Sequence, residues 1–463
     1  MASAIIAPPQ RPRRPGTSLG EVTTQEPSQA GPAHSAAGVA SQRRFGDPNG
    51  IVDRFLVPIG LFVVAWAVYA WINHARSADL DYFVPLADAF LHGRLGLTDG
   101  PSFLNELVPA ANGLYYVVYP PVPALLVAPA VWIFGTGFEQ AWASILLGAV
   151  NVVLVSQVIR EMGVTRAFRI VVSVVFAFGT IVWYSAQAGS SWHFAHVAAT
   201  LFTLLAIRSC QRDAHPVIIG LLFAGAVFSR LTVLMAAPFF LAYFVDRAAR
   251  EDDVDPLPFG HLRADRPPFW RTRVDLAGVF ELISPAAGAL IAVAALYLLY
   301  DDLRFGSPLQ NGYALIPGLL EEAQYQHGFF SVVNIPRTLY ALLLSGPVQV
   351  ADFPWVQSRE LGGLSIVLTT PLFLWAIKAR RLDWFGVGCW LAVVLILGPI
   401  LVHADPGGAQ FGFRYAQDFY PFLLLLTVRG LGGRISFEAW VAIAIGFVVN
   451  IWGMGSAYFD WWA

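Results

Sequence analysis

The chain has 463 residues, of which 56% are hydrophobic and 13% are charged, and its mean hydropathy is +0.58. About a quarter of the residues in a soluble domain are charged, so this composition excludes an ordinary soluble protein and indicates a membrane as the main solvent. The net charge of −2 at pH 7 provides no overall attraction to polyanions, so no nucleic-acid partner is expected.

The first 50 residues predict a disordered cytoplasmic tail. They are rich in Pro, Ser, Gly, Ala and Gln and lack aliphatic periodicity, a composition that cannot bury a core. The first apolar stretch begins at Phe55, too far from the N-terminus for a cleavable signal peptide, so it is expected to insert as an uncleaved anchor. We therefore predict a tail, residues 1–50, followed by a membrane domain, residues 51–463.

Apolar segments of membrane-spanning length recur through the rest of the chain. A spanning helix needs about 20 mostly apolar residues, because only its internal hydrogen bonds satisfy the backbone within hydrocarbon. The segments that meet or approach this length are 55–73, 140–159, 167–186, 192–208, 216–229, 231–246, 278–300, 362–378, 384–403, 418–428 and 437–456. They predict an all-α integral membrane protein with about eleven transmembrane helices, of which two are short, 216–229 and 418–428.

The distribution of basic residues orients these spans. Under this topology most of the 29 Lys and Arg residues fall on one side, which the positive-inside rule assigns to the cytoplasm together with the N-terminus. Segment 120–135 then becomes an interfacial helix on the external face, because counting it as a span would move Arg160, Arg166 and Arg169 outside. Almost all the basic residues are Arg, which indicates a GC-rich bacterial genome and hence the inner (plasma) membrane.

Three long polar loops, 74–139, 301–361 and 404–417, are predicted on the external face, where we expect any chemistry to occur. The largest inner loop, 247–277, has mixed charge and predicts a solvated connector without a catalytic role.

Two acids, Asp79 and Asp81, follow the first span directly. Carboxylates at this spacing can share a divalent metal, or one can act as general base toward a hydroxyl while the other tunes its pKa. A third interpretation, loop acids that only help to solvate the outer face, also stays open. The two cysteines, Cys210 and Cys389, lie at or within apolar segments and indicate neither a disulfide framework nor a metal-ligand cluster.

Further short motifs lie in the three external loops. They are Tyr119-Pro120-Pro121, then Arg304-Phe305-Gly306-Ser307-Pro308 with Gly312-Tyr313, and Gln410-Phe411-Gly412-Phe413-Arg414-Tyr415 with Asp418. In layout and in these motifs the chain, from about residue 55 to 456, resembles the GT-C superfamily of integral membrane glycosyltransferases, such as protein O-mannosyltransferases and aminoarabinose transferases of lipid A. In those enzymes an acidic motif follows the first span, and paired prolines open the second juxtamembrane helix. Here Leu80 separates the two acids, and Tyr119 stands where mannosyltransferases usually carry His.

The resemblance implies that a sugar is transferred from a polyprenyl phosphate donor to an external glycan, lipid or protein acceptor, with inversion at the anomeric carbon. Asp81 is our first choice as the base and Asp79 our second. Arg414 is suited to bind the donor phosphate with its fork of donors, and Arg304 is a second phosphate ligand. An i,i+4 ion pair between Arg414 and Asp418 is the structural alternative.

Two histidines and several aromatic residues complete the predicted substrate-binding set. His193 and His196 lie one helical turn apart at the outer start of the fourth span, where they would line the site or sit at the interface beside aromatic residues. Tyr119 and Tyr415 are the predicted aromatic ligands of the substrate. Arg230 lies between two short apolar segments, so it must either pair, cap helix carbonyls or reach the external cavity.

Three other classes of protein share parts of this pattern. A transporter of a small polar solute or a lipid-linked sugar is the main alternative, although the spans show no internal repeat and no pair of broken helices in equivalent halves. A scaffolding protein would leave the three external loops unexplained. A ligase or polymerase that uses a diphosphate lipid donor would look much the same.

Overall fold

The computed structural model describes residues 48–72, 80–101, 104–250, 257–351, 355–359, 362–408 and 410–458. The chain divides into two units, Met1–Gly50 and Ile51–Ala463. Almost all of the predicted tail lies outside the described residues, and so does Asp79. The predictions made for these residues therefore stay predictions.

Most of the described chain is helical. The α-helices are α1 (Pro48–Ile51), α2 (Val57–Ile72), α3 (Phe83–Leu91), α4 (Val122–Phe134), α5 (Gln140–Glu161), α6 (Arg166–Phe178), α7 (Val182–Ala188), α8 (Ser191–Gln211), α9 (Pro216–Val227), α10 (Ala237–Ala248), α11 (Leu276–Phe305), α12 (Ile335–Leu343), α13 (Ile366–Thr369), α14 (Trp384–Val402), α15 (Tyr420–Leu431) and α16 (Phe437–Tyr458). A π-helical turn, Val52–Leu56, joins α1 to α2, and 3-10 helices include Leu231–Ala236, Pro371–Lys378 and Arg414–Asp418.

Two small antiparallel strand pairs complete the described secondary structure. Strands β1 (Leu107–Pro109) and β2 (Tyr115–Val117) form a hairpin in which Val108 is opposite Tyr116. Strands β3 (Val348–Gln349) and β4 (Val356–Gln357) form the other pair.

Seven helical segments in the described residues are long and apolar enough to cross a membrane, or eight if α6 and α7, bent by 53°, form one span. They are Val52–Ile72, Gln140–Glu161, Ser191–Gln211, Leu231–Ala248, Leu276–Phe305, Trp384–Val402 and Phe437–Gly455. The predicted count of eleven is not confirmed. Predicted spans 216–229 and 418–428 form helices of 12 residues. At about 1.5 Å per residue, such helices are shorter than the ~30 Å hydrocarbon layer.

The third predicted span that the structure does not confirm, 362–378, is interrupted near its centre. It divides into α13 and the 3-10 helix Pro371–Lys378, with Thr370 between them in a non-helical conformation. Proline has no N–H for the helix ladder and disfavours helical geometry in the residue before it, which explains the break.

Helix α8 lies at the centre of the bundle, whereas α2 and α11 lie at its surface. In the most apolar part of α8, 78% of the residues are buried, against 17% for the first span and 11% for α11. Helix α8 packs against α5 and α9, and α5 also packs against α2 and α6. The start of α8, which carries two of the predicted site residues, is therefore held by the core of the fold.

A buried glutamine fixes the start of α8 to the chain that follows the first span. The Gln140 side chain is fully buried, donates to the Gly189 carbonyl at 2.6 Å and accepts from the Ser191 hydroxyl at 3.2 Å and the Phe83 N–H at 3.3 Å. Gly189 has φ +61°, and a Cβ there would lie 2.4 Å from the Cα of Ala141, so only glycine fits this turn. Helices α3, α5 and α8 are thereby joined at one end of the bundle.

The segment predicted as an interfacial helix, 120–135, forms α4 with 13 residues. Pro121 precedes it, and Trp132, Ile133 and Phe134 at its end are largely exposed. Helix α4 packs against α3 within the loop that follows the first span.

The loop predicted as a solvated connector, 247–277, is anchored to the bundle. Most of residues 257–277 are half-buried or exposed, but Phe259 is fully buried against Phe239, Tyr243 and Phe385. The Leu262 N–H also donates to the Met162 carbonyl at 3.0 Å. Composition could not predict this packing, because a single aromatic residue makes it and the segment contains many charged residues.

Candidate functional site

The start of α8 places two histidines inside the bundle. His193 is 3% exposed; its Nδ1 lies 2.7 Å from the Ser190 hydroxyl, and its ring packs edge-on against Tyr184 with centroids 5.2 Å apart. His196 is 1% exposed. Neither Nε2 atom has a hydrogen-bond partner in the described part of the chain. Both imidazoles therefore keep one polar atom that is buried and uncommitted.

His196 belongs to a buried ion-pair network centred on Asp418. The Nδ1 of His196 lies 2.7 Å from Oδ1 of Asp418, and Nη2 of Arg230 lies 3.2 Å from Oδ2. The Thr232 hydroxyl donates to the same carboxylate. Arg230 therefore has the partner that its position between apolar segments requires.

This network replaces the ion pair between Arg414 and Asp418, which was the structural alternative for Arg414. Residues 414–418 form a 3-10 helix with about three residues per turn, so positions i and i+4 do not share a face. Asp418 instead pairs with His196 and Arg230, which come from two other elements.

Arg414 is a buried cation without a carboxylate partner among the described residues. It is 5% exposed, and its Nη1 donates to Oε1 of Gln410 at 3.2 Å. Its guanidinium lies 5.4 Å from the ring centroid of Trp192 and 5.1 Å from that of Tyr415. Aromatic faces and one neutral amide compensate the charge only in part, so the position favours an added anion.

Trp192 connects this cation to an acid from the loop after the first span. Its indole N–H donates to Oε2 of Glu106 at 3.0 Å and also lies within hydrogen-bond distance of the Tyr119 hydroxyl. Burial raises the pKa of the Glu106 carboxyl, and the positive charge of Arg414 opposes that shift. Neither Glu106 nor Trp192 is among the predicted site residues, because a lone acid and a single tryptophan carry no motif.

Aromatic rings line the same region. Tyr119 packs edge-on against Tyr82 and Tyr313, with ring centroids 5.1 and 6.2 Å apart. Tyr415 lies beside His196, with ring centroids 6.1 Å apart. We call the following residues the arginine–tryptophan cluster, in which these contacts join all members except His193, which follows Trp192 directly in α8: Glu106, Tyr119, Trp192, His193, His196, Arg230, Arg414, Tyr415 and Asp418. It brings together five of the predicted substrate-binding residues: Tyr119, His193, His196, Arg414 and Tyr415.

Asp81 lies next to this cluster but faces a separate cavity. The cavity has a volume of about 510 Å³, and its walls include Asp81, Asp88, Arg94, Asp99 and Glu139 but no residue of the cluster. Tyr82 follows Asp81 in the chain, and its hydroxyl accepts the Glu106 N–H at 3.1 Å. One residue thus separates the predicted base from the cluster.

Asp81 is a buried acid rather than an exposed loop residue. It is 9% exposed, and its two carboxylate oxygens accept N–H groups of Val84 at 3.1 Å and Gln140 at 3.3 Å, at the starts of α3 and α5. Burial raises its pKa to about 7, although these hydrogen bonds oppose the shift. A carboxyl with this pKa can exchange a proton near neutral pH.

Arg304, the second predicted phosphate ligand, is already engaged elsewhere. Its guanidinium donates to Asp301 at 2.5 Å and to the Val117 carbonyl, and it stacks on Tyr300 at 3.7 Å from the ring centroid. These contacts hold the end of α11 against β2. None of these partners belongs to the arginine–tryptophan cluster.

The described residues provide no evident ligand set for a divalent metal. No group of three or more His, Cys, Asp or Glu side chains there is arranged to hold a metal ion.

Comparison with known proteins gives one structural likeness. No protein-family model matches the chain, and no curated protein matches it. Among solved structures, the chain is similar to ArnT from Cupriavidus metallidurans, crystallised with undecaprenyl phosphate, at 13% sequence identity and a TM-score of 0.46. The match covers 87% of this chain and 64% of that protein.

Proposed function

We propose that this protein transfers a sugar from a polyprenyl phosphate donor to a glycan, lipid or protein acceptor. The observation that carries the proposal is Arg414, a buried guanidinium within cation–π distance of Trp192 and Tyr415 and with no carboxylate partner among the described residues. A polyprenyl phosphate brings an anion to the membrane edge while its tail stays in lipid. Such a ligand would supply the charge that this arginine lacks.

The phosphate becomes the leaving group in this reaction. As the bond between the anomeric carbon and the phosphate oxygen breaks, its electron pair stays on that oxygen. Arg414 would stabilise the charge that develops there through its fork of N–H donors. Arg304 is not proposed for this role, because its donors already bind Asp301 and the Val117 carbonyl.

Asp81 is proposed as the general base. The acceptor hydroxyl gives its proton to the Asp81 carboxylate while its oxygen bonds to the anomeric carbon, opposite the departing phosphate, which inverts that centre. The raised pKa of Asp81, about 7, suits a base that works near neutral pH. The acceptor would enter through the cavity of about 510 Å³ that Asp81 lines, whereas the donor phosphate would bind at Arg414.

We place the reaction on the external face of a bacterial inner membrane, with the N-terminus in the cytoplasm. The support is the excess of basic residues on the opposite side of the predicted topology. Asp81 and the cluster residues Glu106 and Arg414 come from loops that this topology puts outside.

The test is a transfer assay on the purified full-length protein in lipid vesicles. Radiolabelled polyprenyl phosphate sugars are offered with a membrane extract as the source of acceptors. Protein-dependent transfer of label supports the proposal and names the donor. Transfer from diphosphate donors alone would indicate a ligase or polymerase. No transfer, combined with saturable solute flux in proteoliposomes, would establish the transporter alternative.

A further inference from the structure

Glu106 and Arg414 lie against the same indole ring. The Glu106 carboxylate accepts the Trp192 N–H at 3.0 Å, and the Arg414 guanidinium lies 5.4 Å from the centroid of that ring. An anion and a cation thus lie close to one indole with no direct ion pair between them, so opposite charges and aromatic carbon occur together at this position.

The Glu106 carboxylate keeps acceptor capacity for a ligand. Oε2 receives the Trp192 N–H, whereas Oε1 receives no hydrogen bond from any described residue. Glu106 is partly rather than fully buried, so a ligand can reach it. A carboxylate in this state accepts hydrogen bonds strongly and donates none.

These groups match the chemistry of a sugar ring. Its hydroxyl groups donate hydrogen bonds that a carboxylate accepts, and its C–H faces pack against aromatic carbon. With the phosphate of a glycosyl phosphate on Arg414, the sugar ring extends away from the guanidinium by about the width of an indole. Because Glu106 contacts the same indole as Arg414, its carboxylate would then be within reach of the sugar hydroxyl groups.

We propose that Glu106 and Trp192 form the subsite for the transferred sugar, and that this subsite selects neutral, hydroxyl-rich sugars over uronic acids. The inference rests on the proposed lipid-linked donor. Glu106 would act as a specificity residue: it accepts hydrogen bonds from the sugar hydroxyls and repels a sugar carboxylate.

The substitution Glu106→Gln separates this role from a purely structural one. A glutamine can keep its amide oxygen on the Trp192 N–H, so the indole stays anchored. Its NH2 group then replaces the free carboxylate oxygen, and the acceptor offered to the sugar is lost. Glu321→Gln, an exposed acid in another external loop, is the matched control.

The experiment measures binding of two lipids to full-length protein in vesicles: a polyprenyl phosphate, and the same lipid carrying a neutral hexose. We expect the wild type to bind the glycosylated lipid about tenfold or more tightly than the bare phosphate, a gain typical of charge-assisted hydrogen bonds. Glu106→Gln should lose this gain without weakening the bare lipid, and Arg414→Gln should weaken both. A uronosyl lipid should bind the wild type poorly and Glu106→Gln better.

The remaining outcomes overturn the inference in distinct ways. Equal binding of both lipids by the wild type removes the sugar subsite and leaves the transferase proposal standing. Equal weakening of both lipids by Glu106→Gln means that Glu106 only supports Trp192. A wild-type protein that binds neither lipid overturns the subsite and the proposed donor together.

Discussion

The Nδ1 atom of His196 lies 2.7 Å from Oδ1 of Asp418, across 222 residues of sequence, and both side chains are completely buried. An ionised carboxylate has no proton to donate, so the imidazole must donate from Nδ1. In the neutral imidazole this leaves Nε2 without a proton, and Nε2 has no partner among the described residues. The pair therefore orients His196 within the cluster.

The substitution Asp418→Asn should destabilise the protein. It leaves Arg230 without its counter-charge, which in a buried pair costs about 3–5 kcal/mol, and the cost here should lie near the lower end because Arg230 is 23% exposed. The thermal unfolding midpoint in detergent is the measurement. Asp302→Asn, an exposed acid near the end of α11, is the control and should unfold like the wild type.

A double variant tests whether this cost comes from the pair itself. Once Arg230 is replaced by Gln, the further substitution Asp418→Asn should cost much less than it does alone. Additive losses would mean that the two residues act independently.

Arg414 should be required for donor binding. Replacing it with Gln removes up to two charge-assisted hydrogen bonds to phosphate, so kcat/KM for transfer should fall by about 100-fold or more. Arg414→Lys keeps the charge but loses the planar fork and its stacking, and should fall between Gln and the wild type. Arg359→Gln, an exposed arginine in the loop 301–361, should leave transfer unchanged. Wild-type kinetics in Arg414→Gln would remove this residue from the phosphate site.

The packing of the inner loop makes a separate prediction about stability. Replacing Phe259 with Ala opens a cavity among three aromatic rings and should cost about 3–5 kcal/mol in unfolding free energy. Trp270→Ala in the same loop removes a side chain that is 59% exposed and should cost far less. Equal shifts in the unfolding midpoints of these two variants would show that the loop does not contribute to the core.

Long uninterrupted apolar runs made parts of the fold predictable from sequence. Predicted spans 140–159, 384–403 and 437–456 coincide closely with α5, α14 and α16. Prediction failed at 362–378, where average hydrophobicity concealed a break before Pro371. Hydropathy reports which residues avoid water, whereas backbone geometry decides whether they form one helix.

Less of the candidate site than of the fold could be predicted from the sequence. Motifs and loop position predicted Arg414, Tyr415 and the two histidines as site residues, and Tyr415 does contact both Arg414 and His196. The contacts that organise them join distant segments: Glu106 accepts from Trp192, and Asp418 pairs with His196 across 222 residues. No local spacing in the sequence predicts such contacts. The pairing of Asp418 with His196 rather than Arg414 follows from a 3-10 turn, which the i,i+4 rule for α-helices cannot anticipate.

Asp81 gives the reaction a predicted pH dependence. Because burial raises its pKa to about 7, the carboxyl is largely protonated at pH 6 and ionised at pH 8. Only the ionised form can accept the acceptor's proton, so kcat/KM should rise with pH through about 7. A profile that is flat across this range would exclude Asp81 as the base.

The raised pKa of Asp81 also makes the stability of the protein depend on pH, and stability should fall where activity rises. The pKa of this carboxyl is raised above its ordinary value of 3.8, so the folded protein binds the extra proton between about pH 4 and pH 7. Its contribution to stability is complete below pH 4 and is lost as the pH rises through 7. In Asp81→Asn, which cannot titrate, this part of the pH dependence of the unfolding midpoint should disappear.

Comparison of Asp81→Asn with Asp79→Asn decides which acid is the base. Asp81→Asn should abolish transfer and should also cost about 1 kcal/mol in stability, because only one oxygen remains to accept the two N–H groups at the starts of α3 and α5. Transfer therefore has to be compared per folded molecule, at a temperature well below both unfolding midpoints. Loss of transfer in Asp79→Asn alone would assign the base to Asp79 and leave Asp81 as a helix cap. Full transfer in both variants would remove both acids from the chemistry.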